Sequence, residues 1–226
     1  GEGELPPEWN SNKTLLISAL PFAITLGILP YVTKLEKFLL AGMTSYSEVS
    51  IYHVAQLAWI AGLMLPQAMR AALLPYLGEV RDEPEKFASR MGTAHHWTLA
   101  ILPLGLLAGH LIVSISVPRL FDSDYSQAVE VFDILLAGWA MTLLAVPWYV
   151  ALQAGHNPWR FTAMITLVVI VAAITGWLLI PESGVMGAAW ASVIGCSIML
   201  SVSKLLCGDE NKLTDGLAVF CVATCY

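Results

Sequence analysis

The chain has 226 residues, of which 57% are hydrophobic and only 12% charged, with a mean hydropathy of +0.70. A soluble domain carries about a quarter charged residues, so this balance excludes that class and points to an all-α polytopic membrane protein. The net charge of −6 says little about partners, because the acids gather in the N-terminal segment, two loops and the tail. No basic stripe calls for nucleic acid.

The chain opens GEGELPPEWNSNK, acidic and proline-bearing, without a signal-peptide pattern. Residues 1–13 read as a connecting loop inside a longer protein. Six apolar segments follow, at about 14–42, 49–77, 93–117, 128–153, 161–180 and 183–206, each near the roughly 20 residues a bilayer requires. Lipid leaves only helices for such segments, and the runs are too continuously apolar for an alternating barrel. Residues 14–206 therefore form one bundle of six transmembrane helices. Connections are short: MTSYSE (43–48), GEVRDEPEKFASRM (78–91), PRLFDSDYSQ (118–127), AGHNPWR (154–160) and PES (181–183). Residues 207–226 hold too short an apolar run to span and read as a C-terminal cytoplasmic tail.

Prolines recur inside the segments, at Pro21, Pro30, Pro66, Pro75, Pro103 and Pro147. Each removes a backbone donor and favours a kink. The small residues Gly184, Gly187, Ala188, Ala189, Ala191, Ser192 and Gly195 suit close helix packing. Lysine and arginine set the orientation. One side gathers Lys13, Arg81, Lys86, Arg90, Arg160, Lys204 and Lys212; the other has Lys34, Lys37 and Arg119; Arg70 lies within the second segment. The positive-inside rule makes the first side cytoplasmic, with both chain ends there. The expected location is the cell (inner or plasma) membrane, multi-pass.

The four cysteines (Cys196, Cys207, Cys221 and Cys225) lack the paired spacing of a zinc site, and no histidine pair completes one. No metal or cofactor is expected. No phosphate-binding glycine loop, zinc motif or serine elbow is present, so the chain reads as a non-enzyme.

The charged stretch KLEK at the end of the first segment is the exception to the apolar pattern. On an unbroken helix Lys34 and Lys37 share a face, while Glu36 points about 160° from Lys34. Lys34 would lie about 28 Å along the axis from Leu15, close to the full hydrocarbon thickness. The lysines either face an internal cavity and grip an anion, or snorkel to the outer interface. Arg70, near the inner end of the second segment with Gln67 one turn earlier, is either a membrane-edge anchor or a phosphate contact. His110 is more naturally a packed residue than a proton site. Asp122, Asp124, Glu130 and Asp133 read as a solvated rim, with Asp133 able to dip into a cavity mouth.

KLEKFLLAGMTSYSEVSIYHVAQ (34–56) resembles the start of the C-terminal half of O-antigen flippase-type polysaccharide exporters, members of the multidrug/oligosaccharidyl-lipid/polysaccharide exporter superfamily. The similarity lies in an acid and a base before a leucine run, then Glu48, Val49, Ser50, Tyr52 and Ala55 opening the next helix. It continues in order through AALLPYLGEVRDEPEKF (71–87) and LFDSDYSQAVEVFDILLAG (120–138), with Phe121, Tyr125 and Ala128 matching. ALQAGHNPW (151–159) and GVMGAAWASVIG (184–195) complete the series. Glu36 stands where aspartate is commoner in the family, and an N-terminal half is lacking.

The resemblance implies half of a transporter of twelve or more helices, partnered by its missing N-terminal half and by membrane lipid. It implies export of an undecaprenyl-diphosphate-linked glycan by alternating access. Lys34, Lys37 and Arg70 become the candidate substrate-binding residues, and Glu36 and Asp133 the candidate ion or proton sites. A multidrug extruder of the same superfamily is the alternative, as is a membrane-embedded oligosaccharide polymerase or glycosyltransferase, for which the loops are short.

Overall fold

The structure, a computed structural model, describes residues 12–121, 125–155 and 157–210. Residues 1–11 of the expected loop, 211–226 of the expected tail, and Asp122 and Asp124 lie outside the described residues, while residues 12 and 13 are already helical. Within them the elements are α1 (Asn12–Ile28), a 3-10 turn (Leu29–Thr33), α2 (Leu35–Met43), α3 (Tyr46–Gly62) and α4 (Met64–Gly78). Then follow α5 (Pro84–Leu120), α6 (Gln127–Ala154) and α7 (Pro158–Glu210). Among the described residues there is no strand, and the all-α polytopic class stands.

Among the described residues, four stretches are long and apolar enough to cross a membrane: Tyr46–Gly78, Pro84–Leu120, Gln127–Ala154 and Pro158–Cys207. The first expected segment, 14–42, is not one continuous helix. Only Ala19–Val32 of it forms a shorter apolar helix. Pro30 has no N–H to offer the preceding turn, so α1 gives way to a 3-10 turn with Pro30 at its start. Lys34 then leaves helical geometry (φ −120°, ψ −16°) before α2 begins.

α3 starts on an N-cap: Ser45 Oγ accepts from the Glu48 N–H at 3.4 Å. α3 and α4 are separated only by Leu63. Pro66 is again the cause, because it cannot donate to the Gly62 carbonyl one turn back. The indole Nε1 of Trp139, from α6, donates to that carbonyl instead, at 2.9 Å. The break is thus satisfied from another helix, as non-helical backbone at membrane depth requires.

The connection expected at 78–91 is shorter. Pro84 stands at the first positions of α5, after Glu83, so helix resumes there. Arg90 reaches back across this turn to the Tyr76 carbonyl and to Glu79, the latter at 3.1 Å.

α7 contains two legs, 158–183 and 185–210, folded at Gly184 (φ +56°, ψ −130°). A methyl built on Gly176 would lie 3.8 Å from Ala191, and one on Gly195 would lie 3.5 Å from Ala172. These pairings make the legs an antiparallel hairpin. Ala188, Ala189 and Ala191 are fully buried along it, as the small-residue pattern predicts.

α6 holds the bundle together. Its Leu135 and Leu143 are buried with Leu40, Tyr52 and Ile180 in one core cluster. Its Val146 and Val150 are buried with Leu77 and Met164 in a second. Large apolar side chains such as Phe38, Leu104, Leu107 and Leu111 are exposed, which suits lipid rather than water as the surrounding solvent.

Candidate functional site

A cavity of about 700 Å³ opens between α1, α4, α6 and both legs of α7. Much of its wall is apolar: Phe22, Leu26, Leu74, Phe161, Ile165 and Val168 all contribute. Polar groups enter at two levels.

At one level stand Arg70 and Gln67 from α4, Gln153 from α6 and Tyr149 one turn before it. Arg70 Nε donates to Gln153 Oε1 at 3.0 Å. The bond fixes the guanidinium while leaving its two terminal nitrogens, the fork that matches a phosphate or carboxylate. Arg70 reaches this place because α4 continues as helix past Pro66, presenting Pro66, Gln67, Arg70 and Leu74 to the cavity at helical spacing.

At the other level are Glu36, Thr142, Ser192, Cys196 and Trp59. Glu36 is only 2% exposed, and its Oε2 has no hydrogen-bond partner. The Ser192 hydroxyl hydrogen-bonds the carboxylate, and Tyr52 and Cys196 lie near it. Tyr52 and Ser192 are 3.4 Å apart, as are Thr142 Oγ1 and Cys196 Sγ. The buried indole Nε1 of Trp59 is also without a partner. An unmatched acceptor and an unmatched donor therefore stand in the same cavity wall. A third polar spot joins α1 to α7, where Thr162 Oγ1 is 2.8 Å from Thr25 Oγ1 and donates to the Pro21 carbonyl at 3.0 Å.

Of the residues singled out from sequence, the cavity brings together Arg70 and Glu36. Lys34 and Lys37 are not among its lining residues. Lys34 is exposed at the break before α2, and Lys37 Nζ donates to His53 Nδ1 of α3 at 2.7 Å. The common face expected for the two lysines assumed an unbroken helix, which Pro30 prevents. Asp133 is also elsewhere, paired at 2.7 Å with His110 across the α5–α6 contact. The chain matches no family model, no curated protein and no solved structure.

The site therefore rests on its own geometry. Gln153 and Thr142 escaped the sequence reading, and Ser192 and Trp59 read there only as packing residues, because each is ordinary in an apolar helix until tertiary packing turns it to the cavity. One signal was available: a polar side chain on the buried face of a membrane helix, as at Gln153 in α6. Among the described residues, no group of three or more His, Cys, Asp or Glu side chains could hold a metal ion.

Proposed function

We propose that this bundle is one half of an exporter that flips a lipid-linked oligosaccharide, carried on undecaprenyl diphosphate, across the cell membrane by alternating access. The observation that carries the reading is Arg70, a guanidinium oriented by Gln153 in a largely apolar cavity between helices. A diphosphate crossing about 30 Å of hydrocarbon needs a cation on its path, and its lipid needs apolar walls. The resemblance of residues 34–56 and of the later motifs to polysaccharide exporters supports the same substrate. The missing N-terminal half would supply the second bundle, against which this one rocks. On this reading both chain ends face the cytoplasm.

The test is transfer of a lipid-linked glycan by the full-length protein in proteoliposomes. Arg70→Ala should abolish transfer while the protein remains folded, and unchanged transfer would refute the reading. A second reading, multidrug extrusion, is favoured by one observation: aromatic Phe22, Trp59, Tyr149 and Phe161 and the acid Glu36 line the cavity, and Lys34 and Lys37 do not. In the same vesicles, efflux of a lipophilic cation that depends on Glu36 and ignores Arg70 would decide for it.

A further inference from the structure

The two polar levels of the cavity differ in sign and are far apart. Gln153, which holds Arg70, and Thr142, which meets Cys196 beside Glu36, are both on α6. Eleven residues separate them, which is about 16 Å of helix axis. One end therefore offers a cation. The other offers a buried carboxylate oxygen with no partner and an indole N–H with none.

Leaving a carboxylate oxygen desolvated and unmatched costs stability that an apolar residue would not. The groups near Glu36 are neutral: the Ser192 hydroxyl, which hydrogen-bonds it, Tyr52 and Cys196. Among the described residues no lysine, arginine or histidine forms an ion pair with it. What would satisfy Glu36 is a positively charged donor brought from outside. What would satisfy Trp59 is an acceptor oxygen elsewhere on the same ligand.

We propose that the cavity selects a dipolar amphiphile, with a phosphate at Arg70 and an ammonium group at Glu36. Glu36 is then the specificity-determining residue of the site. For a lipid-linked glycan this means an amine-bearing sugar, with a hydroxyl oxygen of the glycan accepting from Trp59. The inference rests on the exporter reading for its phosphate. It adds the requirement for a second, opposite charge at the far level of the cavity.

The test uses three simple probes on the full-length protein in detergent, by calorimetry: dodecyl phosphate, its ω-amino analogue, and dodecylamine. The ω-amino phosphate should bind at least about tenfold tighter than dodecyl phosphate, a difference of about 1.4 kcal/mol. Glu36→Gln, which keeps shape and removes charge, should erase that preference while leaving dodecyl phosphate affinity unchanged. Arg70→Ala should weaken both phosphates. Equal binding of the two phosphates overturns the dipolar proposal and leaves the exporter reading standing. Failure of both phosphates to bind overturns that reading and this inference with it. Dodecylamine binding as tightly as the ω-amino phosphate overturns the two-ended site in favour of a plain cation site. A preference that sodium ions abolish by competition at Glu36 overturns it too, assigning the carboxylate to an inorganic cation.

Discussion

The indole N–H of Trp139 donates to the carbonyl of Gly62 at 2.9 Å, taking the place of the backbone donor that Pro66 lacks. A substitution and its repair follow from this. Trp139→Phe should destabilise the protein by about 1–3 kcal/mol, because a buried carbonyl loses its partner. Pro66→Ala supplies an N–H at the missing position, so it should recover part of that loss when combined with Trp139→Phe. The coupling is measured by a double-mutant cycle of thermal unfolding in detergent. Strict additivity of the two substitutions would show that the carbonyl does not link them.

The hairpin of α7 gives a prediction with an internal control. A methyl on Gly187 would sit well inside contact distance of the Leu179 carbonyl oxygen, a backbone atom that cannot step aside. A methyl on Gly195 would meet Ala172 at 3.5 Å, ordinary van der Waals contact. Gly187→Ala should therefore force the legs apart at a cost of about 1–3 kcal/mol, the usual range for overpacking. Gly195→Ala should change stability by no more than about 0.5 kcal/mol. Equal melting temperatures for the two variants would mean that the legs do not meet at Gly187.

Much of the architecture was legible because lipid permits so little. A long apolar run has to be helical, so α5, α6 and the two legs of α7 follow from hydropathy, and the turn between the legs was expected beside Gly184. What was not legible was where proline ends a helix and where it only bends one. Pro147 sits inside an unbroken α6, whereas Pro30 terminates α1 and Pro66 separates α4 from α3. The difference lies in tertiary partners such as Trp139, which a local pattern does not contain. The candidate site divides in the same way. Arg70 stood out as a charge in an apolar helix. Glu36 was placed away from Lys34, and in the structure the carboxylate is buried while Lys34 is exposed. Gln153 and Ser192 belong to the site only because α6 and α7 fold onto α2 and α4.

Gly184 meets two demands at once. Its φ of +56° with ψ of −130° suits a residue without a side chain, and the Glu48 carboxylate comes within 2.5 Å of where a Cβ would be. Gly184→Ala should cost about 1–3 kcal/mol from the backbone alone. Glu48→Ala removes the crowding and leaves the dihedral strain. The double variant should therefore stay less stable than Glu48→Ala by at least about 1 kcal/mol, read from chemical or thermal unfolding. A double variant as stable as Glu48→Ala would assign the whole cost to the carboxylate contact.

The lysines of KLEK and the cavity arginine make separable claims on an anion. Lys37 is held by His53 and Lys34 is exposed, both away from the cavity lining, whereas Arg70 projects into it. Charges outside the cavity act through solvent or headgroups and are screened over about 8 Å at physiological salt. Inside it, the guanidinium meets a phosphate directly and in a low-dielectric setting. Dodecyl phosphate affinity should therefore stay within about twofold of wild type in a Lys34→Ala, Lys37→Ala double variant at that ionic strength. Arg70→Lys should lower it by about tenfold, because an ammonium keeps the charge but loses the planar fork that Gln153 orients. Calorimetry on the three proteins, repeated at two salt concentrations, checks both. If the lysine variant loses as much affinity as the arginine one, and the loss does not shrink with salt, the anion binds at KLEK and not in the cavity.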